Sequence, residues 1–376
     1  MAVTGFEKNF GFGFMRLPEI SRGEYDIEET KKMVDTFMQA GFNYFDTAHG
    51  YCDGKSEIVL RETLVKRYPR ESFTVTDKLS DGHFNSNEEI RPLFESQLEA
   101  VGVDYFDYYL MHAQDKRNFE KYKQCKAYET ALELKAEGKI KHLGISFHDS
   151  AEVLDNILTT YPQVEVVQIQ FNYLDYNSSS VQSKACYEVC RKHGKDVIIM
   201  EPVKGGKLVD LPEEAQKIID ALKGGSNASY AIRFAAGFEG VKMVLSGMGN
   251  NKMVEDNVSY MQDFKPLNDE ELEAINKVTN IFNGMNDIPC TGCSYCTEKC
   301  PMDIPIPDIF TGMNAYNNFK SWNQNYYYGI NTAGRGKASQ CIKCGVCENA
   351  CPQHIEIRGL LEKATELFEK EPYVEE

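Results

Sequence analysis

The sequence predicts an α/β protein: a (β/α)8 TIM barrel with a second, cysteine-rich domain appended to it. Three observations carry this. Eight short apolar runs alternate with eight amphipathic stretches between residues 10 and 262, and alternating βα units imply a parallel sheet with helices outside. Eight units in about 250 residues is also the count and length at which such a sheet closes on itself. Finally, eight of the 12 cysteines crowd into residues 290–351. A doubly wound open sheet is the alternative to the barrel, but no G-x-G-x-x-G follows the first apolar run.

The apolar runs at 10–16, 43–48, 73–79, 105–113, 141–148, 164–172, 196–203 and 241–248 are the predicted strands. Helical spacing fills the intervals at 28–40, 56–68, 87–101, 119–137, 150–160, 181–192, 227–236 and 251–261. The stretch 28–40 puts Met33, Phe37 and Ala40 on one face, and 56–68 does the same with Ile58, Leu60 and Leu64. Residues 268–282 read as one further helix, with Asn268 as N-cap and acids in its first turn. The predicted domains are therefore a barrel over 1–266, a connecting helix over 267–285 and the cysteine-rich module over 286–376.

Composition narrows the function. The formal net charge is −16, from 41 basic and 57 acidic residues, which argues against nucleic acid or an acidic membrane surface as partner. The opening MAVTGFEKNF has no apolar core of a secretory signal, and no run of 18 apolar residues occurs. A cytoplasmic location is the expectation, and there crowded cysteines bind metal rather than pair as disulfides.

The cysteines repeat. CTGCSYCTEKCP begins at residue 290 and CIKCGVCENACP at 341, an internal repeat with a 51-residue offset. Each copy reads C-x2-C-x2-C-x3-C-P. Two-residue spacers wrap the backbone round one face of a compact metal core, and the longer spacer with its proline splays the fourth cysteine away. Zinc is the alternative, but zinc sites favour two separated CxxC pairs. The segment between the motifs holds Trp322 and Tyr326, Tyr327 and Tyr328, too aromatic for a disordered linker. Of the other cysteines, Cys125, Cys186 and Cys190 read as packing residues, and Cys52 has no base to activate it.

Barrel active sites lie where the strands end. Asp46 closes the second predicted strand, Tyr51 follows in its loop, Lys78 closes the third strand and His112 the fourth. The four suit one another chemically. A phenol titrates near 10 in water, a neighbouring ammonium favours its phenolate, a carboxylate holds that ammonium, and an imidazole orients a carbonyl oxygen. Together they form an acid that protonates an alkoxide as hydride arrives.

These motifs resemble known families. The C-x2-C-x2-C-x3-C-P copies resemble those of two-cluster ferredoxins, in which the fourth cysteine serves the other cluster. That resemblance implies one [4Fe–4S] cluster on Cys290, Cys293, Cys296 and Cys351, and a second on Cys341, Cys344, Cys347 and Cys300. The wide separation of the copies looks like the helical ferredoxin modules of fumarate-reductase-type and dihydropyrimidine-dehydrogenase-type proteins, so the module is expected to be mainly helical and ferredoxin-like.

From FGFGFMRLP through GFNYFDTAHGYCDGKSE, FTVTDKL, DYYLMHA, EGKIKHLGISFH and VVQIQFNYLD to EDN at 255–257, the chain resembles the aldo-keto reductases, and end to end their iron–sulfur branch. By that resemblance Tyr51 is the proton donor, Lys78 and Asp46 tune it, and His112 orients the substrate. Ser146 and Gln168 are expected to hold a nicotinamide carboxamide, Ser246, Gly247, Met248 and Asn250 to line the phosphates, and Asn257, with Asp256 beside it, to lie near adenine. Met200 and the Gly205, Gly206, Lys207 loop would flank the rest of the cofactor. Phe147, Met200 and Met253 stand where an Asn, a Tyr and an Arg often stand in the family. The implied cofactors are two [4Fe–4S] clusters and NAD(H) or NADP(H), with FMN as the alternative. The implied function is carbonyl/alcohol oxidoreduction of a small molecule, with a ferredoxin or flavodoxin-type electron partner. A flavin-linked ferredoxin-dependent reductase, an electron-carrier or partner-binding protein with a non-catalytic barrel, and a reductase whose clusters only staple the C-terminus are the competing readings.

Overall fold

A computed structural model describes residues 9–21, 23–178, 181–222, 224–285, 288–319 and 323–370. The chain divides into two compact units, residues 1–203 with 208–279 and residues 280–376 with 204–207.

The first unit is a closed barrel of eight parallel strands. They are β1 (Phe10–Gly13), β2 (Tyr44–Asp46), β3 (Thr74–Leu79), β4 (Phe106–Gln114), β5 (Ile140–Phe147), β6 (Val166–Gln170), β7 (Asp196–Met200) and β8 (Val241–Gly247). Closure is direct: β1 pairs with β2 through Gly13 and Asp46, and with β8 through Gly13 and Gly247. The inside is filled by Tyr44, Tyr108, Leu110, Val166, Ile198, Met243 and Leu245. Large side chains from alternating positions need a gap on a neighbouring strand, and Gly144 of β5 provides one, since a Cβ there would collide with Leu110 and Val166. A larger apolar layer between strands and helices includes Phe10, Phe12, Phe14, Phe37, Phe42 and Phe45. Phe37 lies 5.4–5.8 Å, between ring centroids, from Phe10, Phe12 and Phe45.

Local capping sets where the helices begin. Asp26 accepts from Glu29 N at 2.9 Å and Asp115 from Asn118 N at 2.6 Å. Asn250 accepts from Met253 N at 3.0 Å. Asn268 caps the helix Asp269–Gly284 reciprocally: its side chain accepts from Glu271 N, and the Glu271 carboxylate accepts from Asn268 N, both at 2.9 Å.

Two local expectations need correcting. The predicted helix over 119–137 is two helices, Lys116–Gln124 and Ala127–Ala136, because Lys126 adopts the left-handed conformation at φ 53°. The Asn87 amide donates to the Cys125 carbonyl freed at that break. The stretch 56–68 begins as α-helix at Ser56–Leu60 and continues as a π turn at Arg61–Val65. Its buried face is Val59, Leu60 and Leu64, and Ile58 is exposed, because at 3.6 residues per turn position 58 already points away from 60 and 64 before the π turn begins. Periodicity also gave no sign of the small hairpin Glu19–Ser21 with Glu24–Tyr25 or the helix Glu213–Asp220.

The second unit is mainly helical, and its structure repeats with its sequence. In the first copy the one-turn helix Tyr295–Glu298 precedes the helix Ile306–Phe319, and in the second Val346–Asn349 precedes Ile357–Phe368. Left-handed backbone recurs at matching positions: Gly292 and Lys343, Ser294 and Gly345, Asp303 and His354. The apolar core repeats likewise, with Cys296, Ile304, Ile306 and Phe310 matched by Cys347, Ile355, Ile357 and Leu361. The helix Asn323–Asn331 lies between the copies and buries Tyr328. Trp322 lies outside the described residues, as do the side chains of Tyr326 and Tyr327. No helix among the described residues is long and apolar enough to cross a membrane.

Candidate active site and cluster sites

The parallel register brings the polar strand ends together. Asp46 ends β2 beside Thr76 of β3, and Lys78 pairs with Leu110, two residues before His112 on β4. Alternation along each strand then turns Asp46, Lys78 and His112 inward, and all three are buried. Lys78 Nζ donates to Asp46 Oδ1 at 2.6 Å and to the Thr47 carbonyl at 2.7 Å. It also lies 4.7 Å from the centre of the Tyr51 ring. The Tyr51 ring meets the His112 ring edge-on, 5.7 Å between centroids. Thus the structure assembles all four residues of the predicted constellation.

The electrostatics follow from burial. Burial pushes the Asp46 carboxyl above its ordinary value, and the ammonium of Lys78 pulls it back. Two members of the arrangement were not singled out from sequence. Ser80 Oγ lies 2.7 Å from His112 Nδ1 and fixes that ring, and Thr47 supplies the carbonyl that, with Asp46, anchors Lys78. Ser80 was findable, because it follows Lys78 by two residues on the same strand face. Behind the site Asp77 is fully enclosed. Burial, then the charge of Glu57, pushes its carboxyl far above the usual range. Cys52 is a bystander: burial pushes its thiol up to about 11, and it sits 3.4 Å from the Phe14 carbonyl.

Further round the barrel, Ser146 of β5 and Gln168 of β6 are register partners, both buried. Gln168 Oε1 is buried with no hydrogen-bond partner among the described residues. An orphaned acceptor beside a serine at a strand end fits a primary carboxamide. Met200 ends β7 half-buried. On β8, Ser246 accepts a hydrogen bond from Asn257 Nδ2 at 3.1 Å, and Asn257 Oδ1 in turn accepts from Tyr260 at 2.5 Å. Gly247 and Met248 lead to the N-cap Asn250 of the helix Asn251–Met261, a backbone geometry suited to phosphate. Asp256 is tied to Ser226 Oγ at 2.6 Å, and Met253 is exposed. Gly205, Gly206 and Lys207 fall in the second unit, where Lys207 Nζ donates to the Ile288 carbonyl at 3.3 Å.

The cysteines sort into two groups that cross the sequence motifs. Cys300, Cys341, Cys344 and Cys347 line one small apolar pocket together with Met302, Ile304, Ile306, Val346 and Leu361. Cys296 is buried, and its thiol is pushed up by that burial and by Cys293, Cys290 and Cys351 around it. No three His, Cys, Asp or Glu side chains among the described residues converge closely enough for a single metal ion. Four sulfurs around an apolar void suit a cubane, which needs its thiolates spread over the corners of a cluster. Gly292 N donates to Cys290 Sγ at 3.4 Å, and burial pushes the Cys351 thiol up, against the opposing influence of the backbone N–H groups of Ile355, Gln353 and His354.

The aldo/keto reductase family model matches residues 9–280, most of the chain. The chain belongs to the aldo/keto reductase family. A second family model, described as a 4Fe–4S dicluster domain, matches residues 289–356. Among curated relatives, an NADH-specific methylglyoxal reductase of Escherichia coli is 28% identical over 195 residues, 46% of this chain and 57% of its own length. The match thus spans little more than half of that relative. An aldo-keto reductase of Mycolicibacterium smegmatis is 26% identical over 260 residues, 68% of this chain and 84% of its own length. Among solved structures, an aldo-keto reductase of Klebsiella pneumoniae in complex with NADPH superposes with a TM-score of 0.57 at 20% identity, covering 72% of this chain and 90% of that one. The holo form of one from Bacillus halodurans gives 0.56 at 22% identity, covering 72% and 91%. At these identities the likeness is one of fold, and it agrees with the eight-stranded aldo/keto reductase barrel described above.

Proposed function

We propose that this aldo/keto reductase reduces a small carbonyl compound, or oxidises the matching alcohol, with NAD(H) or NADP(H) in the barrel, and passes single electrons through two [4Fe–4S] clusters in the C-terminal module. The arrangement around Tyr51 carries the reading. Its phenol stands between the Lys78 ammonium, 4.7 Å from the ring centre, and the edge of His112. Lys78 stabilises the phenolate left when Tyr51 gives up its proton, and Asp46 keeps Lys78 in place in a water-poor pocket. A Ser80 hydroxyl that donates to Nδ1 leaves an uncharged His112 ring with its proton on Nε2. That N–H is the donor that aligns a carbonyl oxygen with the Tyr51 hydroxyl. A bound nicotinamide supplies or accepts the hydride, and Gln168 with Ser146 would hold its carboxamide. The relative that is an NADH-specific methylglyoxal reductase agrees with that cofactor class.

Carbonyl reduction takes two electrons and two protons, whereas each cluster carries one electron at a time. This mismatch favours a second reading alongside the first: FMN as the group that joins pair and single-electron chemistry. The partner would then be a ferredoxin or flavodoxin, and the cytosol the compartment that keeps eight ligand thiols reduced.

Methylglyoxal, assayed anaerobically with NADH and NADPH in turn, is the first probe. Exposed Met253 offers no cation for a 2′-phosphate, and the Asp256 carboxylate lies close by in sequence. The two nicotinamides are expected to support turnover without a strong preference for NADPH. If neither is oxidised with any aldehyde or ketone tried, while FMN-loaded protein turns over with a one-electron donor, the nicotinamide reading fails and the flavin one stands. Silence in both assays would leave the barrel non-catalytic.

A further inference from the structure

We infer that Lys204 sets the reduction potential of the cluster held by Cys290, Cys293, Cys296 and Cys351, raising it by placing a buried positive charge beside the Cys351 ligand. The inference rests on the cluster assignment proposed above.

Lys204 is a long cation with only 2% of its surface exposed. Its Nζ donates to Gln353 Oε1 at 3.0 Å, and Gln353 is itself buried, two residues past Cys351. The charge of Lys204 also reaches the Cys351 sulfur, where it favours the thiolate. Its backbone is left-handed, at φ 49°. Gly205, which follows, is also left-handed, at φ 64°, and a Cβ there would collide with the Thr291 carbonyl. Glycine at 205 is what lets the segment lie against the loop between Cys290 and Cys293. Lys207 ties the other end down at the Ile288 carbonyl. Residues 204–207 therefore clasp the first cluster loop from Ile288 to Thr291 and reach Gln353 beside its fourth ligand.

Reduction adds one negative charge to a cluster, and a nearby cation stabilises that charge. The effect is larger where little water screens it. The internal repeat supplies a comparison. Met302 occupies the place in the first motif that Gln353 occupies in the second, 51 residues on, so the amide that holds Lys204 beside Cys351 has no counterpart beside Cys300. The two clusters should differ in potential, with the Cys351 cluster reduced first.

The test is an anaerobic spectroelectrochemical titration of the full-length holoprotein, with iron counted on each sample. Wild type is expected to reduce in two steps. In Lys204→Gln the higher step should fall by about tenfold in its equilibrium constant, about 59 mV for one electron, with the lower step unmoved. Lys204→Arg should hold the wild-type value. Gln353→Glu, which puts a negative charge against Lys204 without removing it, should lower the same step and serves if Lys204→Gln does not load iron. Full iron with neither step moved in the variants, or with both moved equally, overturns the inference. Wild type without clusters overturns it together with the cluster assignment, and the iron count tells the two failures apart.

Discussion

Tyr51→Phe should lower turnover of a carbonyl substrate by about 10²–10⁴-fold, about 3–5 kcal/mol in the barrier, with little change in substrate binding. The substitution removes one oxygen and leaves the ring that packs against Lys78 and His112, so the pocket keeps its shape while losing its acid. Lys78→Met in the same series should be comparably slow and should move the pH optimum, because the ammonium that favours phenolate is gone. Steady-state kcat and KM over a range of pH settle the matter. Wild-type turnover by Tyr51→Phe would mean that another group donates the proton or that the reaction is not carbonyl reduction.

The paired cysteine variants should give an all-or-half result. If ligation is crossed, Cys300 and Cys347 serve the same cluster, as their shared cavity with Cys341 and Cys344 supports. The double variant Cys300→Ser/Cys347→Ser then loses one cluster and keeps the other, about four irons of about eight. Cys296→Ser/Cys300→Ser should strip both. Self-contained motifs predict the reverse for each pair. Iron and labile sulfide on anaerobically purified protein read the answer, and stoichiometric zinc in place of iron would defeat the cluster proposal altogether.

Much of this arrangement was visible in the sequence, for a physical reason. A (β/α)8 barrel repeats one unit, so each strand is a short apolar run and each functional residue sits where that run ends. Asp46, Lys78 and His112 could be placed because the alternation of a strand fixes which way its last residues face. The cysteine repeat was legible in the same way. Its 51-residue offset reappears in paired left-handed residues and paired core positions such as Phe310 and Leu361. What escaped was whatever depends on a neighbour distant in sequence. Lys126 breaks a helix whose periodicity runs on, and Asn87, from another helix, meets the carbonyl left open. Lys204 and Gln353 are 149 residues apart, and nothing in either local sequence announces the other.

If pair chemistry in the barrel and single-electron chemistry in the clusters belong to one reaction, the clusters must change oxidation state during turnover. Rapid mixing of anaerobic protein, with and without FMN, against NADH or NADPH and a carbonyl substrate tests it directly, with the cluster absorbance followed alongside nicotinamide oxidation. The cluster band is expected to bleach and recover within the turnover time, and faster with FMN. Full-rate carbonyl reduction with no flavin bound and both clusters oxidised throughout would contradict it.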